Sequence, residues 1–185
     1  MRLIVAKFGG TSVGTIDRIK SVAKRIKKEV NDGYNVIVVV SAMSGETNKL
    51  IKLVESLTDN YRTSEYDTVI SSGEQVTSGL VAIALNELGI KSKSYQGWQI
   101  PIETDNNFSK ANIKTIKKDN ILSDLKNGYV IVVPGFQGVY NNRLTTLGRG
   151  GSDTSAVAIA AAFGAERCDI YTDVDGVYTA DPRIV

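Results

Sequence analysis

Five consecutive β-branched residues, Val36-Ile37-Val38-Val39-Val40, constrain this chain more than any other feature. The run shows no alternation of apolar and polar positions. A strand with one wet face alternates; a strand buried on both faces does not, and such strands belong to parallel sheets covered by helices. Further strand candidates are Leu3 to Phe8, Tyr129 to Val133 and Asp169 to Thr172. Between them lie helical patterns. Ile16, Ile19, Val22, Ala23, Ile26 and Val30 recur at helical spacing with lysines and arginines opposite. Asn31-Asp32-Gly33 stops that helix. Leu50 to Leu57 reads as a shorter amphipathic helix. Val76 to Leu88 is apolar nearly all round and is expected to be buried. Asp119 to Lys126, and the alanine-rich Ser152 to Phe163, complete the set.

Strand and helix in alternation predict a doubly wound α/β fold: a three-layer α/β/α sandwich with a largely parallel central sheet. Val139-Tyr140-Asn141-Asn142-Arg143-Leu144 reads as a hairpin with Asn-Asn in the turn, so the sheet is mixed or carries a small β appendage. The stretch from Gln99 to Lys118 fits neither period. With 185 residues, 42% of them hydrophobic, the chain is long enough for one well-filled core and about one domain.

Composition removes several function classes. Lys+Arg is 22 against 20 Asp+Glu, a net charge of +2, which argues for neither a nucleic-acid nor an anionic-membrane partner. With no histidine, there is no Ser-His-Asp chemistry, no His-activated thiol and no His-ligated metal. No metal-ligating cluster of residues stands out. The one cysteine, Cys168, stands in an apolar stretch and reads as a small core residue. Lys7 and two glycines interrupt the N-terminal apolar stretch too early for a signal peptide, and no apolar run approaches the roughly 18 residues of a membrane span. A cytoplasmic protein is expected.

The chemistry concentrates where strands end. Lys7-Phe8-Gly9-Gly10-Thr11-Ser12 joins the first strand to the first helix. Gly9 and Gly10 let the backbone approach a ligand, the helix N-terminus favours an anion, and Lys7 adds a point charge. Lysine precedes the glycines here, whereas in a P-loop it follows them. Ser41-Ala42-Met43-Ser44-Gly45-Glu46-Thr47, leaving the second strand, suits either a polar small molecule or an ordinary loop. Glu74, in Ser71-Ser72-Gly73-Glu74-Gln75, either complements a helix dipole or binds a cation such as an ammonium. Gly148-Arg149-Gly150-Gly151-Ser152-Asp153 holds an arginine between glycines, a fork that matches a carboxylate. Ser152 and Asp153 can alternatively cap the helix that follows. Thr172-Asp173-Val174-Asp175-Gly176-Val177-Tyr178 is either a nucleoside-contacting loop or a plain Asx-rich turn. Arg183 either neutralises a phosphate or sits in solvent.

In order, Lys-Phe-Gly-Gly-Thr-Ser-Val, Ser-Ala-Met-Ser-Gly, Ser-Gly-Glu-Gln-Val, Gly-Arg-Gly-Gly-Ser-Asp-Thr and Thr-Asp-Val-Asp-Gly-Val-Tyr-Thr-Ala-Asp-Pro-Arg-Ile-Val resemble the aspartate kinases of the amino-acid kinase family. The resemblance spans residues 1–185. It implies ATP- and Mg²⁺-dependent phosphorylation of the β-carboxylate of L-aspartate, the first step toward lysine, threonine and methionine. It further implies that Lys7 and the amides of Gly9 and Gly10 hold the transferring phosphoryl group, with Phe8 and Ser41 nearby. Thr47 and Ser152 would contact aspartate, Glu74 its ammonium and Arg149 its α-carboxylate. Asp153 would orient Lys7 or the magnesium shell. Thr172, Asp173, Tyr178 and Arg183 would line the nucleotide side.

A carboxylate acceptor, with an ordinary pKa near 4, is already ionised at neutral pH and needs no general base. Catalysis then reduces to positioning and charge stabilisation, so the missing histidine is no obstacle. In the family the catalytic domain continues with a Gly-Ala-Lys-Val segment and regulatory ACT domains, and members usually dimerise. This sequence contains neither part, so it is expected to be the N-terminal part of such a catalytic domain. Two other readings stay open: a fragment that binds ligand without turnover, and a related kinase with another acidic acceptor.

Overall fold

The computed structural model describes residues 2–172. In chain order its elements are β1 (Leu3–Phe8), α1 (Ile16–Asn31), β2 (Asn35–Val40), α2 (Glu46–Glu55), α3 (Ser64–Ile70), α4 (Ser72–Glu87), β3 (Ser92–Ser94), β4 (Ile102–Thr104), β5 (Ile113–Ile116), α5 (Asp119–Lys126), β6 (Val130–Pro134), β7 (Gln137–Tyr140), β8 (Arg143–Thr146), α6 (Gly151–Phe163) and β9 (Arg167–Tyr171). Five strands form one sheet in the order β3-β6-β2-β1-β9, and every pairing in it is parallel. The order reverses about β1, the first strand of the chain.

The strands divide by residue parity, because successive side chains leave a strand on opposite faces. Ile4, Ala6, Phe8, Val36, Val38, Val40, Val130 and Val132 pack with α1 and α4. Leu3, Val5, Ile37, Val39, Ile131 and Val133 pack with α5 and α6. Both faces of β1 and β2 are therefore dry, which is why their sequences do not alternate. The result is the three-layer α/β/α sandwich expected, with a largely parallel sheet.

A second sheet, in the order β5-β4-β7-β8, is mixed. Its β7–β8 hairpin turns at Asn141 and Asn142, with φ of 45° and 62°. Left-handed backbone at both turn residues matches the twist of the flanking strands, and asparagine tolerates it well. The stretch from Gln99 to Lys118 contributes β4 and β5 here, strands of three and four residues that are too short to show a period. The α3 helix, of seven residues, lies where no helix is expected from the sequence.

One expectation fails. The helix read as buried all round, α4, presents Val76 and Ile83 to solvent, each 59% exposed. Val81, Ala82 and Leu85 cover the sheet, and the opposite face stays apolar without cover among the described residues. Cys168 is partly buried beside the α6 layer, and burial pushes its thiol pKa up, in keeping with a packing role. Among the described residues no helix is long and apolar enough to cross a membrane.

Candidate active site

The carboxyl ends of β1, β2, β6 and β9 open onto one cleft of about 940 Å³, large enough for a nucleotide-sized ligand. Lys7, Gly9, Gly10, Ser41, Thr47, Glu74, Arg149, Ser152, Asp153 and Thr172 all line it. Sequence positions more than a hundred residues apart thus meet at one edge of the sheet. Asp173, Tyr178 and Arg183 lie outside the described residues.

Lys7 stands at an odd position of β1, so its side chain leaves the sheet toward α6. There its ammonium lies 2.6 Å from Oδ1 of Asp153, an ion pair by distance although not a well-aligned hydrogen bond. Lys7 is 8% exposed. Asp153 sits in the first turn of α6, whose cap is Gly150 with no side-chain capping bond. Neither Ser152 nor Asp153 caps the helix, and the carboxylate is left to the lysine.

Phe8 departs from expectation. Its even position turns the ring to the other face of the sheet, where it is 2% exposed and stacks on Tyr171 at 4.7 Å. Its carbonyl accepts the Ser41 amide at 3.1 Å. The Phe8 ring therefore packs in the α1 and α4 layer and does not line the cleft. Gly9 also departs from expectation in part, since its amide donates to the Tyr171 carbonyl at 3.1 Å and ties β1 to β9. A Cβ on Gly9 would stand 3.5 Å from the Lys7 ammonium, so glycine keeps the space beside that charge open. A Cβ on Gly10 would lie 3.0 Å from the Ala42 carbonyl oxygen, so glycine also lets two loops pack together.

Glu74 enters the cleft from the first turn of α4, 3% exposed. It accepts backbone N–H bonds from Ala42 and from its own residue, yet burial pushes its pKa up to about 7. Its Oε2 is buried with no partner among the described residues. A buried carboxylate oxygen without a donor is costly, and either a proton or a cation would relieve that cost. Arg149 is carried between Gly148 and Gly150, whose φ values are +77° and +72°. Ser152 packs so closely on Gly135 that a Cβ there would meet its Cβ and Oγ at 2.8 Å.

The cleft also holds residues that the sequence reading did not single out. Phe136 lines it with φ of 69°, a left-handed backbone uncommon for a bulky residue. Its amide donates to the Ser155 hydroxyl at 3.1 Å, which holds it in that state. Ser109 and Lys110 form a wall beside Gly148, and Tyr61 and Tyr66 also line the cleft. The signal available for Ser109 and Lys110 was the polar Asp105-Asn106-Asn107-Phe108-Ser109-Lys110 run, rich in Asx-turn residues, between two short β-branched segments.

Among the described residues no cluster of three acidic or thiol side chains could hold a metal by itself.

The pattern of the amino acid kinase family matches residues 2–185, and this chain belongs to that family. Among individual proteins, it is 55% identical to an aspartate kinase of Pseudomonas putida over the whole chain, which is 45% of that protein. The fold superposes on an aspartate kinase from Synechocystis with a TM-score of 0.84 at 48% identity, covering 99% of this chain and 30% of that one. An E. coli aspartokinase III in complex with aspartate and ADP gives a TM-score of 0.82 at 27% identity, covering 99% of this chain and 52% of that one. The chain thus spans about half the length of the curated relatives it matches.

Proposed function

We propose that this chain supplies the phosphoryl-transfer site of an aspartate kinase, which converts L-aspartate and ATP to 4-phospho-L-aspartate and ADP. The observation that carries the reading is the charge pattern of one cleft. At one end a lysine–aspartate pair stands on the strand tip; elsewhere an arginine between glycines and a buried carboxylate with an orphan oxygen wait for opposite charges. An amino acid with a second carboxylate matches this set: Glu74 takes the ammonium, Arg149 the α-carboxylate, and Thr47 and Ser152 add hydroxyl contacts. The likeness to an aspartokinase crystallised with aspartate and ADP supports the same assignment.

In this reading the β-carboxylate, already ionised, attacks the γ-phosphorus in line. A carboxylate oxygen–phosphorus bond forms as the β,γ-bridging bond breaks, and ADP leaves with the electron pair. Two anions meet, so the chain's own contribution is positive charge and N–H donors: Lys7, held by Asp153, faces the developing charge, with Gly10 and Ser41 beside it. Mg²⁺ would arrive on the nucleotide phosphates and neutralise part of that charge. Thr172, Asp173, Tyr178 and Arg183 are assigned to the nucleotide side. The full protein is inferred to be cytoplasmic, to act at the first step toward lysine, threonine and methionine, and to work as a homodimer or larger oligomer.

Acyl phosphate trapped by hydroxylamine tests the proposal. Aspartate- and ATP-dependent hydroxamate is expected from the full-length protein. Lys7→Ala should lower kcat with little change in aspartate KM. Arg149→Ala should weaken aspartate by about 2–4 kcal/mol, because it leaves a bound carboxylate unpaired. Unchanged aspartate affinity in Arg149→Ala would refute the role given to that residue.

A further inference from the structure

Asp67 is 0% exposed on α3 and does not line the cleft. An isolated carboxylate is rarely buried without a counter-ion. Among the described residues no ion pair reaches this one, and donors satisfy it instead. Both of its oxygens accept the Ser109 amide, at 3.1 and 3.0 Å. Oδ2 also accepts the Thr146 amide at 2.9 Å, and Oδ1 the Thr146 hydroxyl at 2.7 Å.

These donors belong to the two segments that carry cations into the cleft. Ser109 has φ of 68°, a left-handed backbone that persists for a non-glycine residue only where its surroundings enforce it. Lys110 follows it directly and lines the cleft. Thr146 ends β8, three residues before Arg149, and its carbonyl accepts the Ala111 amide at 2.8 Å, fastening the same loop from its other end. Asn107 and Lys110 close the loop on each other through two further bonds of 3.1 Å. One buried carboxylate is therefore the common anchor of the Ser109-Lys110 wall and of the strand end that leads to Arg149.

We propose that Asp67 is a positioning residue for the acceptor half of the site: by clamping Ser109 and Thr146 it holds Lys110 and Arg149 where the carboxylates of the amino-acid substrate bind. The proposal rests on the kinase reading for its substrate. It predicts an asymmetric effect, because the nucleotide side is built from β1, β9 and the loop after β1, which Asp67 does not touch.

The test uses the full-length protein. Asp67→Asn keeps the shape but turns an amide NH₂ toward donors. KM for aspartate should rise roughly ten- to a hundredfold, as misplaced binding groups commonly do, with KM for ATP unchanged. Exchange of the Ser109 and Thr146 amides should accelerate. Thr146→Val should raise aspartate KM in the same direction, and Thr146→Ser, which retains the hydroxyl, should restore it. The Thr146 pair decides the matter if Asp67→Asn does not fold. Equal rises in both KM values, or Thr146→Ser no better than Thr146→Val, would overturn the proposal in favour of a general structural role. Unchanged amide exchange in Asp67→Asn would overturn the clamp itself. That measurement needs no turnover, so it stands apart from the kinase reading, which falls if the wild type forms no acyl phosphate.

Discussion

Replacing Glu74 by glutamine should make the ligand-free protein more stable and the substrate complex weaker. The carboxyl is 3% exposed, and desolvation lifts its pKa from 4.5 to about 7 despite two backbone donors. At about 1.4 kcal/mol per unit, that displacement is about 3 kcal/mol of folding stability. The sign follows from the direction. The folded state holds the proton more tightly than the unfolded state. The protonated group is therefore no burden below about pH 4.5, and stability falls as pH rises from there to about 7, where the loss is complete. Urea unfolding of the wild type at pH 5, 6, 7 and 8 should show this decline against the background of the other groups. Glu74→Gln should remove it, leaving the variant more stable by about 3 kcal/mol at pH 8 and nearly equal at pH 4.5. Under the proposed assignment of the ammonium to the orphan oxygen, saturating aspartate should likewise flatten the wild-type curve, and calorimetry should find aspartate binding weakened in the variant. Parallel pH profiles for the two proteins would refute the claim that burial perturbs this carboxyl. A flat wild-type profile with undiminished aspartate affinity in the variant would refute its assignment to the ammonium.

Other perturbations test the construction of the cleft and of the layers beneath it. Gly135→Ala would push a methyl group onto Ser152, with contacts at 2.8 Å, so α6 must shift and carry Asp153 away from Lys7; a loss of kcat larger than the loss of melting temperature is expected from parallel assays. Ile37→Ala removes a fully buried side chain between β2 and the α6 layer and should lower unfolding free energy by roughly 2–5 kcal/mol in urea titrations, without a selective effect on either substrate. A drop below about 1 kcal/mol would mean the layer repacks around the gap.

The sheet was legible because burial on both faces writes itself into composition. The valine run of β2 and the helical spacing of α1 each report a local rule, and β1, α1 and α5 begin and end within a residue or so of where those rules put them. The exposed side of α4 was not legible, since apolarity all round says nothing about which half finds a partner. The mixed sheet was half legible: Asn141-Asn142 announces its turn, but β4 and β5 are too short for a period and exist because β7 and each other supply their hydrogen bonds. Within the cleft, Lys7, Glu74, Arg149 and Asp153 stood out as charged residues beside glycines at the ends of strands and the starts of helices. Phe8 shares a motif with Lys7, but strand parity sends neighbouring side chains to opposite faces, so its ring lies away from the cleft. Asp67 gave no signal at all, since its donors lie 42 and 79 residues away.

By itself, then, the order of residues determined the periodicities, the turns and the kinds of charge available, since these depend on near neighbours and on side-chain chemistry. Which of those charges face one another was decided only in three dimensions. Parallel crossovers bring distant strand ends to a common edge, and burial there sets how strongly each carboxyl holds its proton. No short-range rule encodes either quantity, because both depend on what has been removed from water by segments remote along the chain.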